Sequence, residues 1–327
     1  MRPFKYTEAT DPAIAIRSVA ANAQAKYLAG GTNLVDLMRE YIAIPNELVD
    51  ITPLGLAQIS QGSNGVTIGA LARNADTANH PLIRKDFPLL TMAILAGASP
   101  QLRNMATNGG NLMQRTRCPY FYDITLPCNK REKGSGCSAL EGLNRTHAIL
   151  GYSADCVATY PGDMANALYA LDAFVRVRGL DGKERSIPVN EFHRLPGDSP
   201  EKDNVLVHGE LITAIDIPKN KFAAKSYYLK VRDRASYAFA LIAVAAAIET
   251  DGDRIKQARI VLGGVAHKPW RSTDAEKTLV GKPANKASFE VAAAVALAGA
   301  KPLSHNAYKI DLAKRAIVVA LERAFAG

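Results

Sequence analysis

Residues 27–34, Tyr-Leu-Ala-Gly-Gly-Thr-Asn-Leu, place two glycines between a predicted strand at 25–29 and the start of a predicted helix. Glycine lets backbone N–H groups approach a phosphate closely, and a helix N-terminus adds positive potential. The segment lacks the G-x-G-x-x-G spacing of the dinucleotide fingerprint, and a Gly-Gly turn on its own is structural more often than ligand-binding. We expect Thr32 to cap the following helix. The predicted apolar face of that helix comprises Leu34, Leu37, Met38 and Tyr41.

A second glycine turn occurs at 101–111, Gln-Leu-Arg-Asn-Met-Ala-Thr-Asn-Gly-Gly-Asn. It combines the hydroxyl of Thr107 with two further glycines, and two such turns from different lobes can clamp one pyrophosphate between them. A third segment, 160–163, places an acid before a predicted helix. There Asp163 either accepts hydrogen bonds from a ribityl or ribose hydroxyl or serves as a helix N-cap.

The bulk composition limits the class of protein. At 327 residues the chain exceeds the size of a single core, so two or three domains are expected. The net charge of +9 is spread without a basic tract of five or more residues, which disfavours nucleic-acid binding. A basic surface that docks an acidic partner and a functionally silent surface both remain open. The chain contains no apolar run of about 18 residues, the length that would predict membrane insertion. Residues 1–8 carry no apolar signal core.

The order of predicted elements indicates where the chain divides. Helix and strand alternate in the N-terminal third, and a compact lobe closes near Pro53. A predicted strand at 212–217 leads into the polar segment 218–221, which is the expected domain boundary. The remaining strands precede the helices, which suggests a separate α+β domain. Strands are predicted at 226–233, 236–249 and 254–265, and helices at 272–279, 286–299 and 305–324.

All four cysteines, Cys118, Cys128, Cys137 and Cys156, fall between the second glycine turn and Asp163. Four thiolates gathered by one loop can hold a metal ion or an iron–sulfur cluster. Their separations of 10, 9 and 19 residues match neither the C-x-x-C spacing of zinc ligand pairs nor the cysteine spacing of ferredoxins. The spacing alone therefore leaves four alternatives: a cluster, a four-cysteine zinc site, two disulfides, or unlinked buried thiols. The six histidines show no metal-ligand spacing, and none is assigned a role.

Together these segments resemble the FAD-binding subunit of the molybdenum hydroxylases, which include xanthine dehydrogenase, aldehyde oxidoreductase and carbon monoxide dehydrogenase. The resemblance rests on the two glycine turns, the helix start at Asp163, and Lys230 followed by Arg232-Asp233, and it covers nearly the whole chain. It implies an α+β fold, with a two-lobed FAD-binding domain of the vanillyl-alcohol-oxidase/PCMH type followed by a smaller α+β C-terminal domain. The implied bounds are 1–218 for the FAD-binding domain, with lobes 1–53 and 54–218 and a cysteine-bearing insertion at about 114–158, and 222–327 for the C-terminal domain.

The same resemblance implies which residues contact FAD. Neither glycine turn contains a histidine, so we expect FAD to be bound non-covalently. The implied role is to hold and tune the flavin, so no residue need act as acid, base or nucleophile. Arg103, Tyr237 and Phe239 are less certain neighbours of the isoalloxazine ring, because core packing is the default for such aromatic side chains. The implied contacts are Tyr27, Leu28, Ala29, Gly30, Gly31, Thr32, Asn33, Leu34, Thr107, Gly110, Asn111, Asp163 and Lys230.

The cysteine-bearing insertion departs from the simplest family pattern, since Asn111 and Asp163 lie 52 positions apart. It resembles the subset whose flavin subunit carries an additional 4Fe-4S cluster: hydroxybenzoyl-CoA reductases and bacterial periplasmic aldehyde oxidoreductases. The run 115–123, Arg-Thr-Arg-Cys-Pro-Tyr-Phe-Tyr-Asp, is most similar to the latter. The resemblance implies that the four cysteines ligate the cluster and that residues 120–122 pack the loop down. Basic residues of the loop would stabilise the reduced cluster or remain solvated; they are Arg115, Arg117, Lys130, Arg131 and Lys133.

The implied function is that of an electron-transfer flavoprotein subunit of a molybdenum-dependent aldehyde oxidoreductase. Electrons would come from a large molybdenum-cofactor subunit and a small 2Fe-2S subunit, and would leave through FAD to an external acceptor. Export to the periplasm would require a partner that carries a signal, and a cytoplasmic location is the alternative. The rival functions are the same subunit in a hydroxybenzoyl-CoA-type reductase, a non-redox module with a four-cysteine zinc site, and a self-sufficient flavin oxidase.

Overall fold

The computed structural model describes residues 1–327 and contains three sheets. The first lobe comprises β1 (Lys5–Glu8), α1 (Pro12–Ala20), β2 (Ala25–Leu28), α2 (Leu34–Arg39) and β3 (Glu47–Asp50). Its three strands are parallel in the order β1-β3-β2. Parallel neighbours need crossover connections, which the two helices supply. The first glycine turn therefore follows β2 directly and enters α2.

The predicted cap of α2 is wrong. Helix α2 begins after Asn33, and no side chain caps it. Thr32 lies in the turn, while the Asn33 side-chain oxygen accepts a hydrogen bond from the backbone N–H of Arg115 at 3.0 Å. The side-chain oxygen that could cap the helix is therefore used in a tertiary contact. Leu37 is buried as predicted, but Tyr41 is exposed and has a φ of +58°, so the helical face ends before it.

The second lobe is built on a five-stranded antiparallel sheet. Its helices surround a core shared by α5, α9 and the sheet. Its elements are β4 (Ile59–Gly62), β5 (Gly65–Gly69), α3 (Asn74–Asn79), α4 (Pro81–Asp86), α5 (Pro88–Ala96), α6 (Pro100–Arg103), α7 (Asn108–Leu112), α8 (Pro119–Tyr122, within the insertion), α9 (Asp163–Ala170), β6 (Phe174–Arg178), β7 (Glu184–Pro188), α10 (Val189–Phe192) and β8 (Leu211–Pro218). The strand order is β4-β5-β8-β6-β7.

The C-terminal part is a four-stranded antiparallel sheet with three helices on one face. Its elements are β9 (Ser226–Val231), β10 (Ile242–Asp251), β11 (Arg254–Gly263), β12 (Trp270–Arg271), α11 (Thr273–Leu279), α12 (Lys286–Ala296) and α13 (Tyr308–Ala326). Strand β10 is almost entirely apolar because both of its faces are buried. Ala243, Ala245 and Ala247 join the core of the second lobe. Ile242, Val244, Ala246 and Ile248 join the core formed with the C-terminal helices.

The insertion connects the two larger parts of the molecule. Ile149 and Leu150 are buried in the C-terminal core, and their backbone N–H groups both donate to the carbonyl of Val265 at 2.9 and 3.0 Å. Phe121, in α8, is fully buried. The insertion is thus packed against the rest of the protein. No helix of the chain combines the length and apolarity that crossing a bilayer would require. The overall α+β architecture, with a larger N-terminal part and a smaller C-terminal sheet-and-helix part, is as predicted.

Candidate cofactor site

The two glycine turns meet where the two N-terminal lobes join. Gly31 has a φ of +69°, a conformation that favours glycine. An added Cβ on Gly30 would lie 2.0 Å from the carbonyl oxygen of Met105 and 3.1 Å from the Cα of Ala106. The backbones of the two turns are therefore in direct contact, and only glycine fits at this crossing.

The second turn is held in place by a buried chain of amide side chains. Thr107 precedes α7, and its hydroxyl oxygen accepts from the Gly110 N–H at 3.2 Å. Asn111 donates to the side-chain oxygen of Asn74 at 2.8 Å, and Asn74 donates to that of Asn108 at 2.8 Å. Because Asn74 bonds two amides of the turn, the glycine backbone between them is fixed by a residue that lies outside the turn.

Two cavities, of about 750 Å³ and about 580 Å³, adjoin the glycine turns. Volumes in this range are typical of cofactor sites. Among the predicted FAD contacts, Leu28 and Gly30 line neither cavity. The larger cavity is lined by Thr32, Asn33, Gly110, Asn111, Asp163 and Lys230. The smaller cavity is lined by Tyr27, Ala29, Gly31, Thr32, Asn33, Leu34, Thr107 and Gly110. Three residues, Thr32, Asn33 and Gly110, belong to both walls and so connect the two spaces.

A buried ion pair forms part of the wall of the larger cavity. Lys230, from β9, donates to the carboxylate of Asp163 at 2.7 Å and to the carbonyl of Ala96 at 3.1 Å. Tyr228 donates to the other carboxylate oxygen at 2.7 Å. The side chains of Asp163 and Lys230 are only 8% and 4% exposed. The N-cap of α9 is Gly162, so the alternative of Asp163 as an N-cap is not observed.

Polar atoms without partners indicate that the larger cavity fits a polar ligand. The side-chain nitrogen of Asn33 and the side-chain oxygen of Asn166 are buried, lack hydrogen-bond partners, and belong to residues of the cavity wall. Leaving such an atom unsatisfied costs about 1–3 kcal/mol, which a ligand with complementary groups would offset. Tyr237 and Phe239 also line this cavity and are half exposed, so they are not core residues. Glycine backbone, unsatisfied amides and accessible aromatic rings together fit a flavin nucleotide.

The four cysteines are brought together and none forms a disulfide. Cys128 and Cys137 are paired through a backbone bridge. The Cys137 and Cys156 thiols are close neighbours, and the Cys118 thiol lies near Cys128 and Cys137. The interaction with Cys156 lowers the pKa of Cys137 to about 6, and the interaction with Cys137 together with burial raises the pKa of Cys156. No three His, Cys, Asp or Glu side chains are arranged around a single-ion position.

Burial dominates the electrostatics of the Cys118 sulfur. It raises the pKa of Cys118 to about 11, and the neighbouring backbone of Tyr120 and Phe121 offsets only part of this desolvation. The backbone of the same loop is held by bonds to the cysteine carbonyls. The N–H of Phe121 donates to the carbonyl of Cys118 at 3.0 Å, and the N–H of Leu140 donates to the carbonyl of Cys137 at 3.2 Å.

Several basic residues of the insertion have specific partners. Lys130 is buried and donates to the Asp203 carboxylate at 2.6 Å, and Arg115 bonds the second oxygen of the same group at 2.6 Å. Arg131 donates to backbone carbonyls of Tyr120 and Phe121. The prediction of merely solvated charge is therefore wrong for these three cations. They hold the insertion in place.

His147 is a residue of this region that the sequence did not single out. Its Nε2 lies 3.1 Å from the sulfur of Cys118, and both residues line the larger cavity. The two are 29 positions apart, and no ligand spacing connects them. Only the folding of the insertion places them side by side.

The chain matches two known protein families along its length. Residues 2–220 match the FAD binding domain in molybdopterin dehydrogenase, and residues 227–324 match the CO dehydrogenase flavoprotein C-terminal domain. The aldehyde oxidoreductase FAD-binding subunit PaoB of Escherichia coli (strain K12) is 48% identical, over 99% of both chains. The glyceraldehyde dehydrogenase medium chain of Sulfolobus acidocaldarius is 27% identical, over 86% of this chain and 83% of that one. A carbon monoxide dehydrogenase structure from Hydrogenophaga pseudoflava has the same fold, with a TM-score of 0.78 at 24% identity over 99% of this chain and 98% of its own.

Proposed function

This chain belongs to the FAD-binding subunits of the molybdenum hydroxylases, and on that premise we propose that it is the electron-transfer flavoprotein subunit of an aldehyde oxidoreductase. The observation that carries the proposal is 48% identity to an aldehyde oxidoreductase FAD-binding subunit over 99% of both chains. The chain would receive electrons from a large molybdenum-cofactor subunit and a small 2Fe-2S subunit and pass them on to an external acceptor. We also propose the domain division at 218–221, because β8 ends at Pro218.

FAD would be held non-covalently across the two cavities, with its pyrophosphate at the glycine turns. The contact of the Gly30 backbone with Met105 is the support for this placement, because it joins the two turns into one surface. The bound flavin would supply two-electron redox chemistry, and the protein positions it and sets its surroundings. Thr107 and Asn111 fix the second turn. The buried ion pair of Lys230 and Asp163, whose opposite charges balance, forms the part of the cavity wall where we place the ribityl chain.

We further propose that Cys118, Cys128, Cys137 and Cys156 ligate a 4Fe-4S cluster. Support comes from the position of all four as free thiols in one inserted segment and from the backbone bridge that pairs Cys128 with Cys137. Such a cluster would supply one-electron storage beside the flavin. Arg131 and the Lys130–Asp203 pair anchor the loop that would carry it. A four-cysteine zinc site is the alternative occupant, and it would require the thiols to move, because no three of them surround a single-ion position in this structure.

The proposed assembly contains one large and one small partner subunit, and the proposed location is the periplasm, reached by co-export with a partner that carries the signal. The related subunit of a hydroxybenzoyl-CoA-type reductase remains the alternative activity. Assays of the purified complex with aldehydes and with hydroxybenzoyl-CoA distinguish the two. Turnover of aldehyde alone supports the proposal, and turnover of the thioester alone contradicts it.

The cofactor content is tested by an anaerobic count of flavin, iron and acid-labile sulfide in the purified complex and in the isolated chain. About one FAD and about four irons per chain are expected in the latter. Cys137→Ser should lose iron, whereas the matched control Ser138→Ala, one residue away, should keep it. One zinc per chain with no iron would contradict the cluster, and a chain that binds no flavin would contradict the FAD site.

A further inference from the structure

The His147 side chain is positioned to act on a cysteine sulfur. Its ring is 2% exposed, with Nε2 3.1 Å from the sulfur of Cys118, while Nδ1 has no hydrogen-bond partner. A neutral imidazole carries one N–H. A thiolate ligand at Cys118 would be a good acceptor 3.1 Å from Nε2, so the proton is favoured on Nε2, where it points at sulfur.

Residues of the C-terminal part hold His147 in this position. The backbone carbonyl of His147 accepts from Lys309 at 2.8 Å and from the side chain of Asn306 at 3.2 Å. Lys309 also donates to the carbonyls of Thr146 and Gly264. The contact is therefore between the inserted segment and α13, two parts of the chain that meet only in the folded protein.

Lys309 is a buried cation without a carboxylate partner. It is fully buried and takes part in no ion pair. Burial lowers the pKa of Lys309 to about 7, although the ammonium donates to three backbone carbonyls. Four thiolates around a 4Fe-4S core make a net anion, and such an anion beside His147 would supply a counter-charge.

We propose that His147 donates its Nε2–H to the Cys118 sulfur of the 4Fe-4S cluster and, held by Lys309, raises the reduction potential of that cluster. The inference rests on the proposed cluster. It adds to that proposal a residue that places a hydrogen-bond donor beside one of the ligating sulfurs. Hydrogen bonds to cluster sulfurs stabilise the reduced, more negative form. His147 is a positioning residue, since it acts on the cluster through Cys118.

The test uses the purified complex. In protein labelled with ¹⁵N-histidine, pulsed EPR of the reduced cluster should detect a weak coupling to histidine nitrogen, which His147→Leu abolishes. The same variant should lower the midpoint potential so that the oxidised-to-reduced ratio at fixed solution potential changes about tenfold, or about 59 mV for one electron. His147→Gln, which keeps an N–H donor, should restore much of the potential, and Lys309→Met should lower it. His193→Gln serves as control, because that buried histidine contacts the carbonyl of Leu112 instead of a sulfur.

The outcomes separate this inference from the proposed function. Iron present in the unmodified complex without any histidine coupling overturns the role of His147 and leaves the cluster standing. Absence of iron from the unmodified complex overturns the cluster and the inference together. An unchanged potential in His147→Leu also overturns the inference. If that variant loses its iron, the labelled unmodified complex and His147→Gln still decide: a coupling and a retained potential support the role, and the absence of coupling overturns it.

Discussion

Replacing Gly30 with alanine should weaken FAD binding by forcing the two glycine turns apart. The new Cβ would lie 2.0 Å from the carbonyl oxygen of Met105 and 2.8 Å from its carbonyl carbon, both of them backbone atoms. Carbon and carbonyl oxygen make contact at about 3.3 Å, so the turns must separate by about 1 Å. Overpacking of this kind costs about 1–3 kcal/mol. If the bound state carries that cost, the Kd for FAD rises between about 5-fold and 150-fold, at 1.4 kcal/mol per tenfold.

The assay is titration of flavin-depleted protein with FAD, followed by the change in flavin fluorescence, with thermal unfolding measured in parallel. Gly299→Ala is the matched control, because its added Cβ would meet nothing within 4 Å and its φ is not positive. The variant at Gly30 should bind FAD more weakly than the control while its fold persists. Equal affinities and equal melting temperatures in the two variants would refute the argument that the turns form one binding surface.

Two further predictions concern buried charge. Asp163→Asn leaves the buried Lys230 ammonium without its counter-charge, so the free energy of unfolding in urea should fall by about 3–5 kcal/mol; adding Lys230→Met should recover part of that loss, and no recovery would contradict the ion-pair explanation. Burial lowers the pKa of His193 to about 4 and of His267 to about 3, so below about pH 6.5 the unfolded chain binds protons that the folded chain excludes. Each of these two histidines should therefore lower the free energy of unfolding by about 2 kcal/mol from pH 6.5 to pH 5, at 1.36 kcal/mol per pKa unit. His193→Gln should reduce the total fall by about 2 kcal/mol in denaturation measured across this range, whereas a slope equal to that of the unmodified chain would contradict the assignment.

Much of the site was readable from local sequence because glycine and apolar patterns carry their constraint within a few residues. Gly31 lies in the predicted turn and has a positive φ, and the apolar run of strand β10 lies between two cores. The prediction for Thr32 failed for the opposite reason. The helix begins one residue later than local preference indicates, and the side-chain oxygen of its N-cap residue, Asn33, accepts from the distant Arg115 instead of capping the helix.

The sequence by itself determined the family, the α+β fold class, the two glycine turns and the clustering of four cysteines in one inserted segment. Tertiary structure alone decided which groups meet: Gly30 against Met105, Asp163 with Lys230 across 67 positions, and Cys118 with His147 across 29. The physical reason is that backbone preference and burial period act over a few neighbouring residues. Contacts between distant residues depend on how the lobes and sheets pack, and the spacing of residues along the chain does not predict that packing.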